Sequence, residues 1–428
     1  MTRREIRPSA IHGRVRAPPS KSYTHRALVL AYLAGRPFTI VAPLVSDDTL
    51  ATAGGLRALG ARIRTVRGSW RVEPPSGDRV PTRARVECGA SGTTLRFLLP
   101  LATRSASRVS FAGTRRLAER PVAALLRTLG DLGASVRPSR HGGLPVAVRG
   151  PIRGGRATVA VGESSQFLSG LLLTLPTLEA DSELTWDEPP VSWPYVQATV
   201  AVLRSAGVMV GLDAEARRSR IPGGQRPAGR RFRVPGDASS AAYLWVAAAL
   251  TGGKVRVDGL ASQWPQADRR ILSILAAMGS RVVAVNDTVS VEGPVDRPIE
   301  VDLTDTPDLA PLVGVLASSV AARSILRGGP HLAAKESDRR AATAQLARSF
   351  GAKVTTLPNA IIVRGRSAGL AAVRENTLTD HRLVMSAAVG ALAASGTSSV
   401  GSADAVRKSF PQFWDVLDRL GADLKVRR

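Results

Sequence analysis

Six stretches of the chain share one hydrophobic pattern. In each, apolar residues recur at helical spacing, a glycine follows, and a run rich in β-branched residues comes next. Because glycine readily adopts the left-handed conformation that closes a last helical turn, each stretch predicts a helix followed directly by a strand. The copies recur with a period of roughly 72 residues, which is typical of a repeat architecture. The glycines are Gly60, Gly133, Gly207, Gly279, Gly351 and Gly421.

A second, polar signal precedes each of these glycines by about 40 residues, where another helix is predicted to begin. Hydroxyl and carboxylate groups at a helix start accept hydrogen bonds from free backbone N–H groups, and the N–H groups that remain can bind an anion. Each repeat therefore predicts two helices and alternating strands, and several helix starts could meet at one anionic ligand. The polar stretches begin at Ser20, Ala90, Ser164, Asp237, Pro307 and Asp380.

The composition is that of an ordinary globular protein, with 44% hydrophobic and 22% charged residues in 428. A single core stops growing well below this length, so we expect two domains of three repeats each. No apolar run approaches the ~20 residues of a membrane span, and the first residues lack the apolar core of a secretory signal, so we expect a cytoplasmic protein. The single cysteine and the spacing of the five histidines predict no metal and no cofactor.

The net charge of +25 leaves two interpretations open. A basic repeat protein can bind nucleic acid, but aromatic residues make up only 4% and no basic block interleaves with them. Excess arginine spread over every repeat is also expected of a surface rich in ion pairs, and it would steer small anions toward the protein. We favour the second interpretation.

Residues 214–237 are the clearest candidate boundary, because they are rich in Gly, Pro and Arg and lie between the third and fourth repeats. Within them, the alternation at Arg231–Val234 predicts a strand that crosses between domains. The boundary therefore divides the repeats evenly.

Cationic residues recur at predicted helix starts in phase with the repeat. Two of them share a helix that opens with Lys21, Ser22 and Arg26, and others lie in the segments Lys335–Arg339 and Lys408–Pro411. A solvated charged face explains any one of these equally well. A cation at a helix start opposes the helix dipole, however, and makes sense when an anion binds there. The remaining cationic starts are Glu119-Arg120-Pro121 and Asp380-His381-Arg382.

Nine short motifs, in order from about Pro18 to Pro411, resemble those of the 5-enolpyruvylshikimate-3-phosphate (EPSP) synthase family. They read PPSKSYTHRA, CGASGTTLR, ERP, SSQFLSGLLL, VSWPY, TPDLAP, KESDR, TDHR and KSFP. The resemblance implies a two-domain inside-out α/β barrel with three βαβαββ repeats in each domain. It also implies that residues 1–18 join 234–428, that residues 19–233 form the inserted domain, and that the active site lies in the interdomain cleft.

By the same resemblance, the enzyme is a transferase that moves the enolpyruvyl group of phosphoenolpyruvate (PEP) to the 5-hydroxyl of shikimate 3-phosphate. The implied catalytic residues are Asp308 as base, Glu336 as acid, and Lys21. The residues implied to hold PEP are Lys21, Gly92, Arg120, Arg339, Arg382 and Lys408. Those implied to hold shikimate 3-phosphate are Lys21, Ser22, Arg26, Ser164, Ser165, Gln166, Ser192, Tyr195, Asp308, His331 and Lys335.

Further expectations follow from the family. The enzyme is expected to need no metal or cofactor and to act as a monomer on small molecules, without binding nucleic acid or membrane. Enzymes of this family are the target of glyphosate, which competes with PEP. A methyl group added at Gly92 is expected to meet glyphosate before PEP. Ala90 and His331 depart from the family pattern, since Asn is common at both positions.

A sister enzyme that transfers enolpyruvate to UDP-N-acetylglucosamine is the nearest alternative. It should carry Lys-Asn where this chain has Lys21-Ser22, and a reactive cysteine where Leu117 and Ala118 stand. The single thiol, Cys88, lies elsewhere. We therefore favour the enzyme that acts on shikimate 3-phosphate.

Overall fold

The structure, a computed structural model, describes residues 2–75, 81–139, 143–375 and 378–427. The helices in these residues are α1 (Lys21–Leu33), α2 (Asp47–Ala58), α3 (Gly92–Ala102), α4 (Arg115–Ala118), α5 (Ala123–Asp131), α6 (Ser165–Thr174), α7 (Trp193–Ser205), α8 (Ala238–Thr251), α9 (Arg270–Ala277), α10 (Ala310–Ser318), α11 (Arg339–Ser349), α12 (His381–Leu392) and α13 (Phe413–Arg419).

The strands within the same ranges are β1 (Arg3–Arg7), β2 (His12–Arg16), β3 (Phe38–Val41), β4 (Arg62–Val66), β5 (Ser69–Glu73), β6 (Arg83–Glu87), β7 (Arg108–Ala112), β8 (Ser135–Arg137), β9 (Val146–Arg149), β10 (Gly155–Thr158), β11 (Ser182–Thr185), β12 (Gly211–Asp213), β13 (Arg218–Ile221), β14 (Arg231–Arg233), β15 (Lys254–Asp258), β16 (Arg281–Val285), β17 (Thr288–Glu292), β18 (Glu300–Asp302), β19 (Arg323–Arg327), β20 (Lys353–Leu357), β21 (Ala360–Arg364), β22 (Arg374–Glu375), β23 (Ser398–Val400) and β24 (Asp423–Arg427).

These strands form six four-stranded sheets with one shared topology. In the order in which the strands lie side by side, the first two strands of each sheet pair in parallel, and the third strand pairs antiparallel with both of its neighbours. This is the βαβαββ unit that the resemblance implies, present six times. The sheet orders are β14-β3-β5-β4, β6-β7-β9-β8, β10-β11-β13-β12, β2-β15-β17-β16, β18-β19-β21-β20 and β22-β23-β1-β24.

The six repeat glycines end the second helix of each unit, as the sequence predicts. All six have positive φ, from 73° at Gly207 to 111° at Gly279. Each is followed within four residues by the third strand of its sheet. A residue with a Cβ is strained in this conformation, so glycine ends the helix here.

The first helix of each unit is buried and the second is only partly covered. Every residue of α10 and α12 is buried, whereas α9 and α11 alternate buried and exposed positions. Within one half of the chain α12 packs on α8 and α10, and within the other α3 packs on α6 and both contact α1. A helix that is apolar all round requires this central position.

The chain divides into two compact units, residues 1–18 with 235–428 (the terminal unit) and residues 19–234 (the inserted unit). Three strands belong to sheets far from their own position in sequence, and the first of them, β1, pairs with β23 and β24. β2 pairs with β15 of the terminal unit, although α1 of the inserted unit follows it, and β14 pairs with β3 of the inserted unit, although α8 follows it. Residues 214–237 are consequently not a plain linker, since β13 and β14 lie within them.

Candidate active site

A buried arginine gathers three carboxylates in the terminal unit. Arg339, 1% exposed, donates through Nη2 to Glu336 Oε2 at 2.8 Å and through Nε to Asp380 Oδ2 at 3.0 Å, and its Nη1 donates to Asp308. Arg382 Nη2 donates to the other oxygen of Asp308 at 2.6 Å. We call these five residues the Arg339 cluster. It joins the residues that the sequence assigns as base and acid to one guanidinium.

Helix starts place the cluster. Asp308 lies in the 3₁₀ turn Pro307–Leu309 that leads into α10, and Asp380 caps α12 by accepting from the backbone N–H of Arg382 at 2.9 Å. Arg339 is the first residue of α11. These positions aim three polar groups at one point, because α10, α11 and α12 pack together.

The helix start predicted at Lys335 is wrong. The sequence places Lys335 and Glu336 on the first turn of a helix, but α11 begins only at Arg339. Asp338 caps it by accepting from the backbone N–H of Ala341 at 3.1 Å, so the residues before Asp338 stay outside the helix. Glu336 nevertheless contacts Arg339, from the preceding turn rather than from the helix.

Charge and burial act strongly on the groups around the cluster. Although burial opposes it, the charges of Asp380, Asp308 and Glu336 raise the pKa of Arg339 above its usual value, so it stays cationic. Burial, and next the charge of Asp308, raise the pKa of Asp268 to about 7. Sequence reasoning missed Asp268, which is 1% exposed and lies in the turn before α9, where nothing in the local pattern marks it.

His331 and Lys408 also lie in the terminal unit. Burial, and then repulsion by Lys335, lower the pKa of His331 to about 4, so its ring is neutral at pH 7. The sequence places Lys408 at the start of the last helix, but it ends a 3₁₀ segment, Ala403–Lys408, and α13 begins only at Phe413. Pro411 lies between them.

In the inserted unit, Lys21 is the first residue of α1 and pairs with Asp48 on α2. Their Nζ and Oδ2 atoms lie 3.1 Å apart, and the two side chains are 16% and 6% exposed. Sequence reasoning missed Asp48. The signal was the capping pattern Ser46–Thr49, in which Ser46 accepts from the Thr49 N–H and an acidic first turn follows the cap.

Gly92 and Arg120, both assigned to PEP by the resemblance, lie against each other. A Cβ built on Gly92 would stand 2.9 Å from Cζ of Arg120. Gly92 opens α3, and Arg120 is 7% exposed in the segment before α5. The sequence places Arg120 at the start of that helix, whereas α5 begins at Ala123.

Arg26 links the residues assigned to shikimate 3-phosphate on α1 and α7. It donates to the carbonyl oxygens of Ser22 at 2.9 Å and Tyr195 at 2.7 Å, and to Thr199 Oγ1 at 2.8 Å. Burial lowers its pKa to about 10, which still leaves it cationic at pH 7. Just before α7, Ser192 is buried with φ 55° and ψ 40°, a left-handed conformation that is rare outside glycine and concentrates at functional sites.

The serine pair on α6 lies beside α3. Ser164 caps α6 by accepting from the Gln166 N–H at 3.3 Å, and Ser165 is its first residue. Gln166 Nε2 donates to Thr93 Oγ1 at 2.9 Å, while Arg96 Nη1 donates to Gln166 Oε1 at 2.7 Å. These bonds bring the starts of α3 and α6 together.

Cys88 is fully buried, and burial raises the pKa of its thiol to about 12. A thiol with this pKa carries essentially no thiolate at pH 7, so it cannot act as the nucleophilic cysteine of the sister enzyme. Across the part of the chain that the structure describes, no three His, Cys, Asp or Glu side chains group as a metal site. The same residues contain no helix long and apolar enough to cross a membrane.

Comparison with known proteins finds similarity to one enzyme family along nearly the whole chain. Residues 6–417 match the family model of EPSP synthase (3-phosphoshikimate 1-carboxyvinyltransferase). Proteins named 3-phosphoshikimate 1-carboxyvinyltransferase from Methanocorpusculum labreanum and Thermococcus kodakarensis are 38% and 39% identical, over 97% of this chain and 98% and 99% of theirs.

Two solved structures share the fold. The EPSP synthase of Acinetobacter baumannii is 24% identical with a TM-score of 0.83 over 100% of both chains. The enolpyruvyl transferase NikO of Streptomyces tendae is 19% identical with a TM-score of 0.77, over 99% of this chain and 98% of that one. With the match to the family model and the relatives above 30% identity, this chain belongs to the EPSP synthase family.

Proposed function

We propose that the residues described above transfer the enolpyruvyl group of PEP to the 5-hydroxyl of shikimate 3-phosphate and release phosphate. The family and the names of the relatives indicate this activity. The observation that carries the residue assignment is the Arg339 cluster, in which Asp308 and Glu336 contact one buried guanidinium. Each unit is proposed to supply part of the site.

PEP carries a phosphate and a carboxylate, which require several cations. Arg339, Arg382 and Lys408 of the terminal unit are assigned to it, as are Lys21 and Arg120 of the inserted unit, with the Gly92 backbone against it. Guanidinium groups bind such anions through paired, charge-assisted hydrogen bonds. The N–H groups at the start of α3 add positive potential beside Gly92.

Shikimate 3-phosphate is assigned to the starts of α1, α6 and α7 together with side chains of the terminal unit. In the inserted unit, the bonds of Arg26 support this by holding α1 to the start of α7, and the bond of Gln166 holds the start of α6 to that of α3. The assigned residues are Lys21, Ser22, Arg26, Ser164, Ser165, Gln166, Ser192, Tyr195, Asp308, His331 and Lys335. His331, with its pKa near 4, would contribute as a neutral ring.

The reaction needs a base and an acid. Asp308 takes the proton of the 5-hydroxyl while the hydroxyl oxygen attacks C2 of PEP. Glu336 donates a proton to the methylene carbon of PEP, and a tetrahedral adduct results. The methyl group then returns a proton to the Glu336 carboxylate while the C–O bond to phosphate breaks, and the proton held by Asp308 passes to the leaving phosphate, which yields the enol ether and phosphate. Lys21 shares in proton transfer.

The contacts of Arg339 suggest how Glu336 obtains its proton. Arg339 has five N–H groups, and three carboxylates already accept from them. An incoming phosphate or carboxylate that binds the same guanidinium lies beside Glu336. The negative charge of the anion favours the protonated form of Glu336, the form that a general acid needs.

The proposal includes a cytoplasmic monomer that uses small-molecule substrates, no cofactor and no nucleic acid. The low aromatic content supports this part, because single-stranded nucleic acid is bound on aromatic stacking platforms. The positive charge would then serve to attract anionic substrates.

A phosphate-release assay with purified protein tests the proposal. We expect release only when PEP and shikimate 3-phosphate are both present, and none when UDP-N-acetylglucosamine replaces shikimate 3-phosphate. Glu336→Gln separates enzymatic release from contaminating phosphatase, because the variant should lose the signal. Release with the nucleotide sugar, or none with shikimate 3-phosphate, would contradict the proposal.

A further inference from the structure

A buried chain of hydroxyl groups runs behind the Lys21–Asp48 pair. His25 Nδ1 lies 2.7 Å from Thr52 Oγ1, which lies 2.7 Å from Thr94 Oγ1, and Thr94 Oγ1 donates to Ser91 Oγ at 2.8 Å. His25, Thr52 and Thr94 are 0% exposed and Ser91 is 1% exposed. The chain joins α1, α2 and the cap of α3.

The positions along the helices show what the chain supports. His25 follows Lys21 by four residues on α1, and Thr52 follows Asp48 by four on α2, so the His25–Thr52 contact lies one helical turn below the Lys21–Asp48 pair. The two contacts are successive links between the same two helices. A shift at the lower link therefore moves Lys21.

The other end of this hydrogen-bonded series, at Thr94 and Ser91, reaches the start of α3. Thr94 Oγ1 lies 3.3 Å from the carbonyl oxygen of Asp48, and Ser91 Oγ accepts from the Thr94 N–H at 3.2 Å. Ser91 is the cap residue directly before Gly92. Each hydroxyl has one proton and two acceptor positions, so removing one link changes the partners of its neighbours.

We infer that the chain His25–Thr52–Thr94–Ser91 positions Lys21 and the start of α3 for PEP, with Thr52 and Thr94 as positioning residues. The inference rests on the proposed function, which assigns Lys21 to both substrates and Gly92 to PEP alone, so a displacement of both positions should affect PEP more. Small displacements of binding groups have large effects on turnover, so the hydroxyls should affect the enzyme although they lie outside the assigned contacts.

The test compares isosteric and conservative variants at the same positions. Thr52→Val and Thr94→Val remove the hydroxyl but keep the side-chain shape, whereas Thr52→Ser and Thr94→Ser keep the hydroxyl and lose a methyl. Thr128→Val is the matched control, because Thr128 is buried in the same unit and bonds only to backbone carbonyls. Thermal unfolding identifies variants that fold.

We expect each valine variant to raise the KM for PEP about tenfold, and by at least about three times more than the KM for shikimate 3-phosphate. The serine variants should recover most of the affinity although they leave a cavity. Thr128→Val should leave both constants near the wild-type values.

Two results would overturn the inference. One is that Thr52→Val and Thr94→Val both fold and both show the same KM values for PEP and shikimate 3-phosphate as Thr128→Val. The other is serine variants as impaired as the valine variants, which would assign the effect to methyl packing. Failure of the proposed function is distinguishable, because then wild-type protein would not release phosphate, or Lys21→Ala would leave the KM for PEP unchanged.

Discussion

Gly92→Ala is expected to act on PEP through Arg120. The added Cβ would stand 2.9 Å from Cζ and Nη1 of Arg120, whereas ordinary contact begins at 3.4 Å. The guanidinium must therefore retreat by at least about half an ångström, the difference between these two distances. It is 7% exposed, so it cannot move freely into solvent. Gly92 does not have positive φ, so the backbone itself accepts alanine.

The size of the effect on the KM for PEP follows from the hydrogen bond that Arg120 is proposed to make to PEP. A hydrogen bond to a charged group contributes about 1.5–3 kcal/mol, and a shift of this size weakens such a bond without removing it. A loss of about 1 kcal/mol raises the KM for PEP about fivefold. The binding of glyphosate should weaken by a similar factor, because its phosphonate is expected to pair with the same arginine. This revises the expectation from sequence alone, in which the methyl meets glyphosate first.

The assay measures the KM for PEP and the competitive inhibition constant of glyphosate at saturating shikimate 3-phosphate. Gly130→Ala is the matched control, since a Cβ there meets nothing within 4 Å. In an Arg120→Lys background, Gly92→Ala should raise the KM for PEP little further, because the two substitutions affect the same contact. An unchanged KM for PEP with weaker glyphosate binding would refute this reasoning and restore direct contact between the methyl and the inhibitor.

Three further outcomes are expected. Glu336→Gln and Asp308→Asn should each lower kcat by at least about 100-fold while the KM values change much less, as steady-state kinetics would show; a near-normal kcat would remove the assigned role. The raised pKa of Asp268 means that the folded protein loses stability as pH rises from about 4 toward 7. Urea unfolding should show Asp268→Asn without that part of the pH dependence, and identical pH profiles would contradict this. Cys88 should react with a thiol reagent only on unfolding, and rapid labelling of native protein would show that its burial is incomplete.

The repeat could be predicted from sequence because it rests on local chemistry. A helix that must end where the chain turns needs a residue free to adopt positive φ, so Gly60 and its five counterparts mark every unit. The pairing of β1 and β2 with strands of the terminal unit is not local. It was implied only by the family resemblance, because nothing within the first eighteen residues says which sheet they join.

The error at Lys335 has a physical origin. A segment that contains several capping groups has several possible helix starts, and tertiary contacts select among them. Asp338 caps α11, although Ser337 stands beside it, because the Ser337 hydroxyl instead donates to Asp380 at 3.1 Å. Sequence order shows which groups are available, and only the fold shows which partner each one takes.

Charge was the hardest property to interpret from sequence. Arg339 and Arg382 counted as cations awaiting an anion, yet in the structure Asp308, Glu336 and Asp380 surround the first and Asp308 also binds the second. Taking an isolated guanidinium out of water is costly, so a deeply buried arginine requires hydrogen-bond acceptors, which are carbonyl and hydroxyl oxygens at Arg26 and carboxylates at Arg339. The carboxylates that bind Arg339 thus include Asp308 and Glu336, the two groups proposed to move protons. A cationic motif in sequence therefore indicates where an anion site can be proposed, while candidates for the acid and base are found among the carboxylates that the fold brings to it.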